Sequence, residues 1–270
     1  MEIRISKPFR LRSAVLIFIT AAFSLMVQAQ TWPPAPIPPV PNAPEPQNSV
    51  KVRDVPMNLL KDQAAIWSSP ARIGDSDLTY LVPLGLATAL AITTDHQVMS
   101  EKVSRDKSLN DKSTQASNAL VSPFIAAPVV MYGIGHFANS EHARETGILS
   151  GEALVDSLVV EQAMKLAFMR ERPTVDGAKG KFFQTSVGVD GSFPSNHSML
   201  AWSSAAVLAD EYPSTFHTLA FYGLATGVSV TRVLGQQHFP SDVLVGSAFG
   251  WMIGHYVYKK HHHWAPEDYR

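Results

Sequence analysis

Along the chain, apolar residues recur at helical spacing and almost never alternate, so the pattern predicts helices and scarcely any strand. Leu59, Leu60, Ala64 and Trp67 mark an amphipathic helix over Met57 to Trp67. Longer apolar stretches run from Leu78 to Thr94, from Ala119 to Phe137 and from Val243 to Tyr258. Ser150 can cap a helix that carries Leu154, Val155, Leu158, Val159 and Leu166 on one stripe. Two more helices are expected over Asn196–Asp210 and Ser214–Leu234, separated by Glu211, Tyr212 and Pro213. The expected fold is all-α, a single helical-bundle domain.

The three apolar stretches raise the question of a membrane. Val243 to Tyr258 is interrupted by His255, the Leu78 stretch stops at Asp95, and the Ala119 stretch carries Pro123, Pro128 and His136. None holds the ~18–20 clean apolar residues of a span, so buried helices of a soluble bundle are expected, with an integral membrane protein as the alternative. Gly246, Gly250 and Gly254 fall on one face of the last helix and let another helix approach closely, in either setting.

The first residues read differently. Arg4, Lys7, Arg10 and Arg12 form a basic head before the uncharged run Ser13 to Val27, and Val27-Gln28-Ala29 resembles a signal-peptidase site. Residues 1–29 are therefore expected to be a signal peptide, and the protein to be periplasmic or secreted, with a membrane-anchored protein as the alternative. Residues 30–50 form a proline-rich linker, with eight of the nineteen prolines, that suits an extended spacer. Residues 51–270 make the helical domain.

Composition then narrows the classes of function. The chain has 270 residues, is 46% hydrophobic and 17% charged, and so has the makings of a core rather than of a disordered tail. It contains no cysteine, which excludes disulfide staples, thiolate metal sites and thiol nucleophiles. Removal of residues 1–29 takes away four basic groups and one acid, which moves the net charge from −1 to −4. Such a balance offers no broad footprint for nucleic acid.

Three clusters carry candidate chemistry. In the first, Lys165 and Arg172 stand seven residues apart, and on a continuous helix both would face one way. In the second, Pro194-Ser195-Asn196-His197 reads as a turn into a helix. Ser195 would sit near the N-cap and His197 in the first turn, where free backbone N–H groups and the helix dipole favour an anion. In the third, Arg232 precedes Gly235, which can end a helix, and Pro240 can begin the next. Asp242 follows His238 by four residues, so its carboxylate can fix one ring nitrogen and leave the other free as a nucleophile.

In order, the clusters read K-x6-R-P, P-S-N-H and T-R-x5-H-x3-D over residues 165–242. This resembles the three-part signature of the type 2 phosphatidic acid phosphatase superfamily, which includes bacterial acid phosphatases and vanadium haloperoxidases. The resemblance implies that family's all-α fold and a phosphatase of phosphomonoesters, lipid phosphates among them. By the same resemblance His238 would be the nucleophile and form a phosphohistidine, Asp242 would orient it, and His197 would protonate the leaving alkoxide. Lys165, Arg172, Ser195, Asn196 and Arg232 would hold the phosphoryl oxygens. Fixed cations can do so without a metal ion or other cofactor, and vanadate would bind as a phosphate analogue.

Two positions depart from the usual pattern, Asn196 for glycine and Thr231 for serine. Both read as tuning, since neither touches the nucleophile, its partner or the acid. Three other functions compete: an integral membrane lipid phosphate or pyrophosphate phosphatase, a vanadium haloperoxidase, and a non-catalytic phosphate-binding protein on the same fold. Possible partners reduce to a phosphorylated small molecule or lipid, with association at a membrane surface. His96, His136, His142, His217 and His255 read as structural, and the run His261-His262-His263 as an exposed, frayed end with no assigned metal.

Overall fold

A computed structural model describes residues 50–263, which form seven α-helices joined by short turns, isolated 3-10 or π turns and one long loop over residues 169–195, with no strand among the described residues. The expected signal peptide and, apart from Val50, the proline-rich linker lie outside the described residues. The helices are α1 (Val55–Ser68), α2 (Asp75–Gln97), α3 (Lys107–Phe137), α4 (Glu141–Phe168), α5 (Asn196–Glu211), α6 (Thr215–Leu234) and α7 (Pro240–His261). The all-α expectation holds.

The helix starts are written in short polar side chains. Asp106 accepts from the Leu109 N–H ahead of α3, Ser140 from the Ala143 N–H ahead of α4, and Ser214 from the His217 N–H ahead of α6. Pro240 occupies the first turn of α7, where its missing N–H costs nothing. Ser150 is not a cap: it lies buried inside α4, which begins nine residues earlier than its apolar stripe suggests. Helix α3 likewise starts ahead of its apolar stretch, because polar residues 107–118 form its first turns.

The core sits between α4, α5 and α7, where Leu149, Ala153, Val160, Met199, Val207, Ile253 and Val257 pack together. The glycine ridge of α7 sets the spacing of that layer. A Cβ on Gly246 would stand 2.6 Å from the Ser195 carbonyl oxygen, and one on Gly250 would stand 2.2 Å from that of Met199. Helices α5 and α7 therefore meet backbone to backbone, closer than any side-chain layer permits.

The outer helices overturn the expected burial. Asp75–Lys102, which is α2 with the π turn after it, and Lys107–Phe137 are long and apolar enough to cross a membrane. Leu78, Tyr80, Val82, Leu86 and Leu90 project outward from α2, as do Ile125, Val129, Ile134 and Phe137 from α3. A water-facing helix would show a polar side, and these show apolar residues around most of their circumference. The prolines do not break α3, since Pro123 and Pro128 both lie within it. Sequence spacing misjudged these segments because it stopped counting at prolines and single polar residues.

Candidate active site

Every chemical position of the three clusters lies at or near a helix end, and all those ends meet at one end of the bundle. Helix α4 stops at Met169, whose left-handed conformation (φ 39°, ψ 53°) turns the chain away. Lys165 thus occupies the last turn, while Arg172 lies in the following loop. The shared helix face expected for these two cations is therefore absent, and the loop brings Arg172 back instead. Its guanidinium is held by the carbonyl oxygens of Asp190 at 3.0 Å and Gln237 at 3.1 Å.

Ser195 is the N-cap of α5 and is buried, with Asn196 and His197 opening the first turn. The Ser195 N–H donates to the Asp242 carbonyl at 3.0 Å, and its hydroxyl accepts from Ser198 at 3.1 Å. Its side chain does not close the helix end. First-turn N–H groups of α5 remain available for an anion.

His238 stands in the turn between α6 and α7 and is almost fully buried. Its Nδ1 is 2.7 Å from the Ser192 carbonyl oxygen, which can only accept. The proton is therefore on Nδ1 and the lone pair on Nε2. Asp242 was expected to provide this contact, but its nearer oxygen is 3.7 Å from Nδ1. The carboxylate is occupied elsewhere, by Arg170 at 2.6 Å and the Phe239 N–H at 2.7 Å.

Arg170 is the residue that the sequence reading passed over. Its guanidinium is buried and donates to Asp242, Ser241, Asp95 and the Gly180 carbonyl, and it stacks between Phe182 and Phe239. Asp95, at the end of α2, also accepts from the Ser241 N–H at 3.1 Å and from the Ser241 hydroxyl. This network ties α2, the loop after α4 and the start of α7 into one support beneath His238.

The remaining cations act electrostatically on the same two histidines. Arg232 is buried, donates to Ser117 at 3.3 Å, and keeps its Nε without a partner. Lys165 pairs with Glu161 at 2.7 Å. Their fields show in the histidines. Burial, with the charges of Arg232, Lys165 and Arg172, lowers the His197 pKa to about 4. Burial and the charges of Arg232 and Arg172 hold His238 well below its usual value, so it is neutral. The carboxamide oxygen of Asn118 on α3 stands 2.9 Å from His197 Nε2 and orients the ring. Neither Asn118 nor Ser117 belongs to a sequence motif; only the packing of α3 against α5 and α6 brings them in.

The expected residues thus converge on a neutral buried imidazole, a second imidazole and three cations at a helix N-terminus. Such a place is built for a tetrahedral anion with a nucleophile behind it. Beside it runs an apolar groove of about 400 Å³, lined by Leu81, Leu84, Ile92, Phe168, Phe193 and Val245. Of the histidines read as structural, His255 is bound to Asp210 at 2.6 Å and His142 to Glu211 at 2.9 Å, while His136 and His217 are exposed. His261 is buried against Asp62 rather than frayed.

Known proteins share the stretch that carries the three clusters. A family model described as the PAP2 superfamily matches residues 147–265, which contain every signature position. Over 218 residues the chain is 26% identical to a lipid A 1-phosphatase of Porphyromonas gingivalis, covering 75% of this chain and 45% of that protein. It is 34% identical over 100 residues to a lipid A 1-phosphatase of Rhizobium etli, covering 36% of this chain and 42% of that one. The chain thus spans less than half the length of these relatives. A transmembrane PAP2-type phosphatidylglycerolphosphate phosphatase from Bacillus subtilis matches 77% of this chain and 94% of its own at 20% identity, with a TM-score of 0.45.

Proposed function

We propose, from the match of residues 147–265 to the PAP2 superfamily, that the chain is a membrane-embedded phosphatase that removes a phosphomonoester from a lipid through a phosphohistidine. The observation that carries the reading is the convergence of Lys165, Arg172 and Arg232 on the free Nε2 face of a neutral His238. The apolar surfaces of α2 and α3 support the membrane setting, and the apolar groove beside the pocket suits the acyl part of a lipid. The relatives named as lipid A 1-phosphatases support a lipid phosphate as substrate.

The chemistry follows from the atoms in place. His238 Nε2 attacks phosphorus, the phosphorus–oxygen bond to the lipid breaks, and His197 gives its proton to the departing alkoxide. Its lowered pKa suits this work only with substrate present, because the phosphate's negative charges offset the cations and draw a proton onto the ring. Water then attacks phosphorus while His197 takes a proton from it, the phosphorus–Nε2 bond breaks, and phosphate leaves. The cations and the N–H groups of α5 hold the equatorial oxygens throughout, and no step calls for a metal.

The test uses the full chain in detergent micelles with a lipid phosphomonoester and a soluble nitrophenyl phosphate. Phosphate release from the lipid is expected to persist in chelator, and His238→Ala to lower kcat about 10³-fold or more and abolish the acid-labile phosphoenzyme. Turnover unaffected by that substitution overturns the mechanism. Phosphate or vanadate binding without turnover in the wild type identifies a binding protein instead. Carbonate extraction addresses the setting, since a membrane-embedded chain stays with the lipid and an exported soluble phosphatase is released.

A further inference from the structure

Away from the anion pocket, α1, α4 and α7 enclose a second group of ligand-type side chains. Asp62 of α1, Glu152 of α4 and His261 at the end of α7 are all buried. One ligand atom from each lies within 4.8 Å of the other two. Glu152 precedes Lys165 by thirteen residues on the same helix, roughly 20 Å along its axis at the α-helical rise. The group is therefore separate from the chemistry proposed above, and nothing said of it depends on that proposal.

Its internal hydrogen bonds are incomplete. Asp62 is satisfied by His261 Nε2 at 2.8 Å and by the Tyr256 hydroxyl at 3.1 Å. Asn58 donates to one oxygen of Glu152 at 2.8 Å, and Gln63 to one oxygen of Asp156 at 2.8 Å. The second oxygens, Glu152 Oε2 and Asp156 Oδ2, are buried and have no hydrogen-bond partner. Both residues are fully buried, and Asp156 lies within electrostatic range of Asp62 and Glu152. Three buried carboxylates facing a single imidazole leave this space short of positive charge.

A neighbouring group shows what a self-sufficient arrangement looks like. His262 Nδ1 lies 3.0 Å from Glu145 and 3.2 Å from Glu211. Its ring thus engages both glutamates, and neither leaves a buried oxygen without a partner. The Asp62 group has more carboxylates, and two of their oxygens are left over.

We infer that Asp62, Glu152 and His261 bind a divalent cation of the zinc or manganese class. Mixed imidazole and carboxylate donors suit those ions, whereas calcium and magnesium favour oxygen alone. Asp156 supplies additional negative charge, and Asn58 and Gln63 hold the two α4 carboxylates in orientation. Such an ion ties α1 to α4 and α7, so its role is to fasten the first helix to the bundle rather than to act on substrate.

The experiment takes the full chain in detergent, strips it with chelator, adds Zn²⁺ alone or Mn²⁺ alone, and measures bound metal after desalting together with thermal unfolding. The expected result is about one ion per chain and a rise in Tm of about 5 °C or more at a hundredfold excess over Kd. Glu152→Gln, which keeps the side-chain shape, loses both, and Asp156→Asn weakens binding without removing it. The paired replacement His262→Gln and His263→Gln leaves retention intact. A wild-type chain that keeps neither ion overturns the inference, as does equal retention by Glu152→Gln. Retention that vanishes only in the His262 and His263 variant overturns it too, because it assigns the metal to the terminal histidines.

Discussion

The Arg170 guanidinium holds the Asp242 carboxylate at 2.6 Å, while the same carboxylate stands 3.7 Å from the His238 ring. The His238 ring proton is placed by a backbone carbonyl, and the Asp242 carboxylate expected to orient that ring is instead one edge of a buried ionic lattice. That lattice takes in Asp95 from α2, so a residue some seventy positions before Arg170 helps to set the floor of the pocket.

Arg170→Ala leaves Asp95 and Asp242 buried without their counter-charge. Loss of one partner from such a network costs about 3–5 kcal/mol, so the denaturation midpoint is expected to fall sharply and activity with it. Arg170→Lys keeps the charge and loses the planar fork that spans both carboxylates. It is expected to recover part of the stability and little of kcat, which equilibrium unfolding and steady-state turnover measured together resolve. Wild-type stability in Arg170→Ala would show that the lattice bears no weight.

Anion binding is expected to depend on pH through His197. In the free site the ring's pKa is held at about 4 by burial and by Arg232, Lys165 and Arg172. A bound oxyanion offsets those cations and raises the pKa, so binding takes up a proton. The sign follows from linkage: affinity increases as pH falls through the raised value of the complex, and the gain levels off near pH 4, where the free ring is protonated as well. Vanadate inhibition measured across pH in wild type and His197→Gln checks this, because the ligand's own titration is common to both. Parallel curves would remove His197 from the pocket's proton balance.

Helix α7 can be probed through its glycines. Gly250→Ala places a methyl group where the Met199 carbonyl oxygen is 2.2 Å away, so the two helices must part. Overpacking of this kind costs about 1–3 kcal/mol, and a lower Tm with reduced kcat is expected. Gly223→Ala in α6 meets nothing within 4 Å and serves as the control. There the better helix propensity of alanine is expected to raise stability by about 0.5–1 kcal/mol.

Much of this architecture was legible in the sequence because its signals are local. Ser214, Pro240 and Ser195 announce helix starts through groups that act within one turn. The positions of the candidate site were readable for the same reason, since their spacing survives as fixed distances between helix ends. What escaped notice is what folding brings together from afar. Asn118 reaches His197 from 79 positions earlier in the chain, and no motif marks one asparagine at the end of the polar run that opens α3. Arg170 looked like one more charge in a polar run, and only the closing of α2 and α7 over it makes it a hub. His261 read as a frayed terminus because Asp62, its partner, stands 199 positions away.

The contact between α5 and α7 has a kinetic consequence. Ser195 and His197 ride on one helix, and His238 and Asp242 lead into the other. Since the two backbones touch at Gly246 and Gly250, neither helix has slack to swing. On the proposed function, the nucleophile and phosphate cradle form a rigid die that does not open around an incoming molecule. A lipid substrate would then have to arrive already turned to fit, sliding in the plane of the bilayer along the greasy groove beside α2. Turnover at low surface density is then governed by lateral encounter and tilt of the lipid, and diluting the substrate with inert lipid slows the enzyme even when its bulk concentration is unchanged.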